Sequence, residues 1–140
     1  MKSTAAIALI FAAAYVAPAI AQENSVEAKI PFAFSINGST LPAGTYVIRS
    51  DVSSMHVVWL KDSSGKAQIL TLGMPGDSSR AKDHVLVFHH AGDQYFLREI
   101  RTEASTMNYT FSQSKAEKLA KSLPVEAGMR TDAPVLIALR

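Results

Sequence analysis

Val26-Glu27-Ala28-Lys29-Ile30-Pro31-Phe32-Ala33-Phe34-Ser35-Ile36-Asn37-Gly38-Ser39-Thr40-Leu41-Pro42-Ala43-Gly44-Thr45-Tyr46-Val47-Ile48-Arg49 is the stretch whose reading settles the class of fold. Val26, Ala28 and Ile30 alternate with Glu27 and Lys29, the period of a strand with one buried face. Pro31 brings no amide proton to a ladder, so the chain there must bend or lie at an edge. Phe32, Phe34 and Ile36 resume the alternation as far as Asn37-Gly38, a pair suited to the two positive φ angles of a type I′ hairpin. Leu41-Pro42-Ala43-Gly44 reads as a second turn, with Gly44 free to take positive φ. Thr45 to Arg49 then form the next strand.

The same grammar continues in both directions. Asp51 to Ser54 reads as a turn. His56-Val57-Val58-Trp59-Leu60 is apolar on both parities, which predicts a central strand or one covered on both faces, with Trp59 packed in the core. Lys61 to Lys66 is a polar loop, Ala67 to Leu72 a strand, and Pro75 to Asp83 the longest polar loop. His84 to His90, the turn Ala91-Gly92-Asp93-Gln94 and Tyr95 to Ile100 form a second hairpin. Met107 to Phe111 adds a strand, and Val135 to Ala138 closes the domain. One helix is signalled by the capping box Ser114-Lys115-Ala116-Glu117. Its apolar stripe is Ala116, Leu119, Ala120 and Leu123, with Lys115, Lys118 and Lys121 opposite and Pro124 as the stop. The expectation is a mainly β fold: one small sandwich or barrel of about seven to nine short antiparallel strands with one short C-terminal helix.

Composition fits a packed domain of 140 residues, 48% hydrophobic and 19% charged. The formal net charge is only +2, one unit of it on Lys2, and no run of Lys and Arg exists to neutralise phosphates. Nucleic acid is therefore excluded as a partner. The chain has no Cys, which excludes disulfides, thiolate zinc sites, cysteine nucleophiles and a lipidated cysteine.

Residues 1–21 read as a signal peptide. Lys2 is the positive head, Ala5 to Val16 the apolar centre, and Pro18 precedes Ala19-Ile20-Ala21, a small-x-small cleavage site in which Ala19 and Ala21 face the peptidase. Cleavage would leave residues 22–140 as a single β domain beginning at Gln22. The competing reading, an uncleaved anchor, fits less well, because the run is Ala-rich and barely long enough to span a bilayer. No later segment is apolar enough to cross one, and the strands are too short for an outer-membrane barrel.

Four histidines invite a metal reading, which strand geometry opposes. His89 and His90 are adjacent, so they face apart, and His84 and His90 share a face about 20 Å apart. No metal site and no cofactor is assigned. Gly76-Asp77-Ser78 has the look of a hydrolase nucleophile segment, yet no Gly-x-Ser-x-Gly elbow is present and no His follows position 90. Ser64-Gly65-Lys66-Ala67 lacks the flanking residues of a phosphate loop. Asn37-Gly38-Ser39 and Asn108-Tyr109-Thr110 are glycosylation sequons that matter only in a eukaryotic secretory route. Trp59, Tyr46 and Tyr95 are the aromatic residues from which a sugar-stacking face would be drawn.

Ile30-Pro31-Phe32-Ala33-Phe34 through Leu41-Pro42-Ala43-Gly44-Thr45-Tyr46 resembles a segment of small uncharacterised exported β proteins of soil bacteria, with Pro-Phe-x-Phe, a Gly turn, then Leu-Pro-Ala-Gly-x-Tyr. Tyr95-Phe96-Leu97 after Gly92-Asp93 is similar to the same group. The resemblance covers residues from about 26 to 101 and implies a bacterial extracytoplasmic β domain; it brings no catalytic residues. The expected function is a non-enzymatic binding or structural module, periplasmic or secreted, for a protein or saccharide partner. The alternative is a small extracytoplasmic hydrolase, which would need a nucleophile or acid–base pair gathered in a cleft.

Overall fold

The computed structural model describes residues 25–51, 56–77, 83–103, 107–122 and 133–140. The proposed signal peptide with Ala19 and Ala21, Ser78 and Leu123 lie outside them. Among the described residues, eleven strands form two facing sheets, accompanied by one helix, in a sandwich-like arrangement that is not a closed barrel.

The first sheet has the order β1 (Ser25–Ile30), β4 (Gly44–Asp51), β5 (Val57–Asp62), β6 (Gln68–Leu72), all antiparallel. The second runs β11 (Val135–Ala138), β8 (Val85–Ala91), β9 (Gln94–Arg101), β10 (Tyr109–Thr110), β7 (Met74–Pro75), with β2 (Phe34–Ile36) and β3 (Ser39–Leu41) as a hairpin on β9. Helix α1 (Lys115–Ser122) lies over the outside of β8 and β9. The count exceeds the expected seven to nine because short pieces such as β7, which ends on Pro75 at the start of the stretch read as a loop, pair with β10.

Pro31 acts as a crossing point. β1 ends at Ile30 in one sheet and β2 begins at Phe34 in the other, so the chain changes layers where it cannot donate a ladder bond. It arrives running the same way as β9, and Phe34 pairs with Tyr95 in parallel, the one departure from the antiparallel expectation among the described strands. The tip is a type I′ turn, with φ of 45° at Asn37 and 85° at Gly38. Gly44 does not take positive φ; it opens β4 instead. The turn before it is fixed from below, since the Tyr46 hydroxyl donates to the Pro42 carbonyl at 2.6 Å. Leu41-Pro42-Ala43-Gly44-Thr45-Tyr46 is thus a tyrosine corner, in which a buried ring ties its strand to the turn preceding it. Burial, and after it the charge of Asp62, raises the Tyr46 hydroxyl above its ordinary pKa.

The core lies between the sheets and is built by alternation: Ala28, Ile30, Tyr46, Ile48, Val58 and Leu60 from one, Phe34, Ile36, Leu86, Phe88, Leu97 and Ile100 from the other. Phe34 meets Tyr46 and Phe88 edge-on, with ring centroids 5.4 and 5.5 Å apart. Leu97 and Ile100 are an odd number of residues apart, yet both face inward. A bulge explains it: Val87 pairs with Glu99 and Phe88 with Leu97, leaving Arg98 as the extra residue.

That displaced Arg98 reaches the helix. Its guanidinium binds both oxygens of Glu117 at 3.0 and 3.1 Å, and its Nε donates to the Phe111 carbonyl at 2.9 Å. Lys121 adds a contact to Glu117 at 3.2 Å. The helix therefore does not pack by the expected stripe. Glu117 and Ala120 are its buried residues, while Ala116 and Leu119 are exposed. Two cations draw the carboxylate underneath, where the small Ala120 beside it lets the helix sit close on Ala91 and Phe96. The capping box forms by halves: Ser114 Oγ accepts the Glu117 amide, but the carboxylate goes to Arg98.

Besides the crossing at Pro31, the sheets meet at two edges among the described residues. At one edge Glu27 and Arg140 exchange backbone hydrogen bonds at 3.1 and 2.8 Å, beside a bridge from Ala28 to Leu139. Opposite, β6 passes through Gly73 into β7 and so from one sheet to the other. Gly73 is needed there because a Cβ would stand 2.8 Å from the Tyr109 ring.

Candidate functional site

Register decides what the first sheet shows to the outside. Trp59 stands opposite Leu70 on one neighbour and Arg49 on the other, Val57 opposite Leu72, and Lys61 opposite Gln68 and Val47. The alternate residues Ile48, Val58, Leu60 and Thr71 are buried, so this set points away from the core. Trp59 is 50% exposed, Leu70 58% and Leu72 67%. Exposed Arg49, Lys61 and Gln68 border it.

The expectation that Trp59 packs in the core is thereby corrected. β5 is central within its sheet, as its apolar run foretold, but among the described residues nothing covers the outer face of that sheet. The second parity of apolar residues is a surface. Single exposed apolar side chains are ordinary, whereas Val57, Trp59, Leu70 and Leu72 are contiguous across two strands. Because these side chains are already half-buried, covering each is worth roughly half of the ~1.5–3 kcal/mol of full burial.

The three aromatic residues considered for sugar stacking are not brought together. Tyr46 is fully buried in the core. Tyr95 lies on the second sheet, its ring stacked between Phe32 at 3.9 Å and His90 at 4.5 Å. Phe32 and Phe34 of the Pro-Phe-x-Phe segment thus serve the Tyr95 stack and the core respectively. Only Trp59 offers a broad open ring.

The histidines separate as strand parity requires. His89 Nδ1 lies 3.5 Å from Glu117 on the helix side, while His90 is on Tyr95. The Glu117 carboxylate favours the charged imidazole of His89. Burial first, and then the cations Arg98 and Lys121, outweigh it and hold the pKa below the ordinary value. Among the described residues no group of three potential ligands is close enough to hold a metal ion.

Gly76 and Asp77 line a shallow recess of about 240 Å³ together with Glu99, Arg101 and Asn108. Glu99 is held by Arg101 at 2.8 Å. The Asn108 side-chain oxygen accepts the Thr102 amide at 2.8 Å, and its Nδ2 is buried without a partner. Ser64-Gly65-Lys66-Ala67 belongs to the β5–β6 turn, where φ is 74° at Gly65 and the Ser64 hydroxyl donates to Asp62, lowering its pKa. Sequence reasoning missed the outer apolar face, although its signal was present: Leu70 and Leu72 share a parity with no polar residue between them on that side. No known protein family, curated protein or solved structure matches the chain.

Proposed function

We propose that the protein is an exported bacterial, non-enzymatic binding or structural module that holds a protein partner against the outer face of its four-stranded sheet. The observation that carries this is the row of exposed Trp59, Leu70 and Leu72 with half-buried Val57, on a sheet whose other face supplies Ile48, Val58 and Leu60 to the core. An apolar sheet face edged by Arg49, Lys61 and Gln68 has the make-up of a protein interface, an apolar centre within a polar rim. Aliphatic Leu70 and Leu72 favour protein over saccharide, since sugars are bound by aromatic platforms.

A photo-reactive side chain placed at Leu72 in the producing bacterium should give a discrete protein adduct, and the same group at Lys118 on the helix should not. The adduct should disappear with Trp59→Ser. Absence of an adduct, with Trp59 fluorescence instead responding to soluble glycans, would transfer the face to a saccharide. Export is tested separately by intact mass, which should begin at Gln22 with residues 1–21 removed. Among the described residues, the recess holding Asp77 and Glu99 is where the hydrolase alternative is tested. Ester or glycoside turnover lost in Glu99→Gln would establish it.

A further inference from the structure

β6 has β5 on one side and, among the described residues, no strand on the other. The register shows which backbone groups face the open side. The Asp62 amide donates to the Ala67 carbonyl at 2.8 Å, and the Gly73 amide to the His56 carbonyl at 2.9 Å. Both are directly opposed pairs in the β5–β6 register, and such pairs alternate along an antiparallel ladder. Ile69 and Thr71 therefore bond to β5, while Gln68, Leu70 and Leu72 turn their amides and carbonyls outward. Asn37 corroborates this parity, since its Nδ2 reaches the outward carbonyl of Leu72 at 3.1 Å.

Gln68-Ile69-Leu70-Thr71-Leu72 carries no charge, no proline and no bulge, the devices that ordinarily protect an open edge. The opposite edge of the same sheet is closed by Leu139 and Arg140. We propose that β6 pairs antiparallel with β6 of a second copy of this chain, fusing two four-stranded sheets into one. A twofold axis requires that the same groups be presented in both directions. Gln68 and Leu70 satisfy this: Gln68 of each copy lies opposite Leu70 of the other, and each donates and accepts. Asn37 fixes the register. Sliding the copies until Leu70 faces Leu70 would aim each Gln68 amide at a Leu72 carbonyl that Asn37 already holds. The exposed Leu70 side chains then join the two apolar faces across the axis.

This pairing uses backbone groups and is independent of what the Trp59 face binds. Sedimentation of the purified protein should show a mass rising from monomer toward dimer with concentration. Amide exchange at Gln68 and Leu70 should slow at least tenfold over the same range, whereas Ile69 and Thr71 are slow throughout. Leu70→Pro removes an outward amide without touching a β5 bond, so it should give a folded monomer, and Trp59→Ser should still dimerise. A protein monomeric at every concentration, with fast exchange at Gln68 and Leu70, overturns the proposal. So does a dimer that Trp59→Ser dissolves, which would be a face-to-face pair. Should Leu70→Pro fail to fold, the exchange profile of the unaltered protein decides alone.

Discussion

Arg98 Nη1 reaches both carboxylate oxygens of Glu117, whose side chain is 1% exposed, and the guanidinium comes from a bulged strand residue. Removing one member strands the other. Arg98→Ala should cost about 3 kcal/mol in chemical denaturation, because a buried carboxylate keeps only Lys121 and His89. Replacing both members by leucine should cost less than Arg98→Ala alone. Equal losses would mean that the penalty of Arg98→Ala does not come from a stranded carboxylate.

Gly73→Ala drives a methyl group into the Tyr109 ring at the crossing between sheets. A loss of about 1–3 kcal/mol is expected, as for other overpacked sites. The penalty should shrink when Tyr109 is already Ala, and a double-mutant cycle measures that coupling.

Gly38→Val forces a β-branched side chain into φ of 85°, with open space around the site. The cost, about 1 kcal/mol or more, is conformational and not steric. Gly38→Asn should recover part of it, since asparagine tolerates that region. An unchanged melting temperature for Gly38→Val would contradict the type I′ turn.

The His89 pKa is held below its ordinary value in the folded state, so the unfolded chain binds the proton more readily. Stability from this group is therefore complete above the ordinary histidine pKa, about 6.5, and is lost as pH falls below it toward the folded-state value. Melting temperatures of His89→Gln should fall less steeply than those of the unaltered protein between about pH 7 and pH 5. A parallel decline would assign the loss to other groups.

Much of this fold was legible because its signals are local. Asn37-Gly38 named its turn type, Pro31 its break, and the alternation from Val26 to Ile36 its buried face. What stayed hidden depends on partners far along the chain. Nothing near Phe34 announces a parallel neighbour at Tyr95, since direction is set by where the chain crosses layers. The helix stripe misled because Ala116 and Leu119 carry the periodicity, while the decisive residue is a carboxylate whose cation lies on β9. Trp59 misled for a related reason: an apolar run reports hydrophobicity on both sides of a strand, not whether a second layer is there to meet it. The candidate face was thus visible as composition and hidden as exposure.

The seam between Glu27 and Arg140 sets an order of events for folding. The strands it joins stand near opposite ends of the described chain, so this contact encloses almost the whole domain in one loop. Pairings of such long separation carry the full loop-closure entropy and slow the search for the native state. A ribosome that releases the chain from its N-terminus delivers β1 before every other described strand and Leu139 and Arg140 after them. Until then β1 has only β4 beside it. Deleting Leu139 and Arg140 should therefore accelerate unfolding more than it slows folding, the mark of a contact that forms after the transition state.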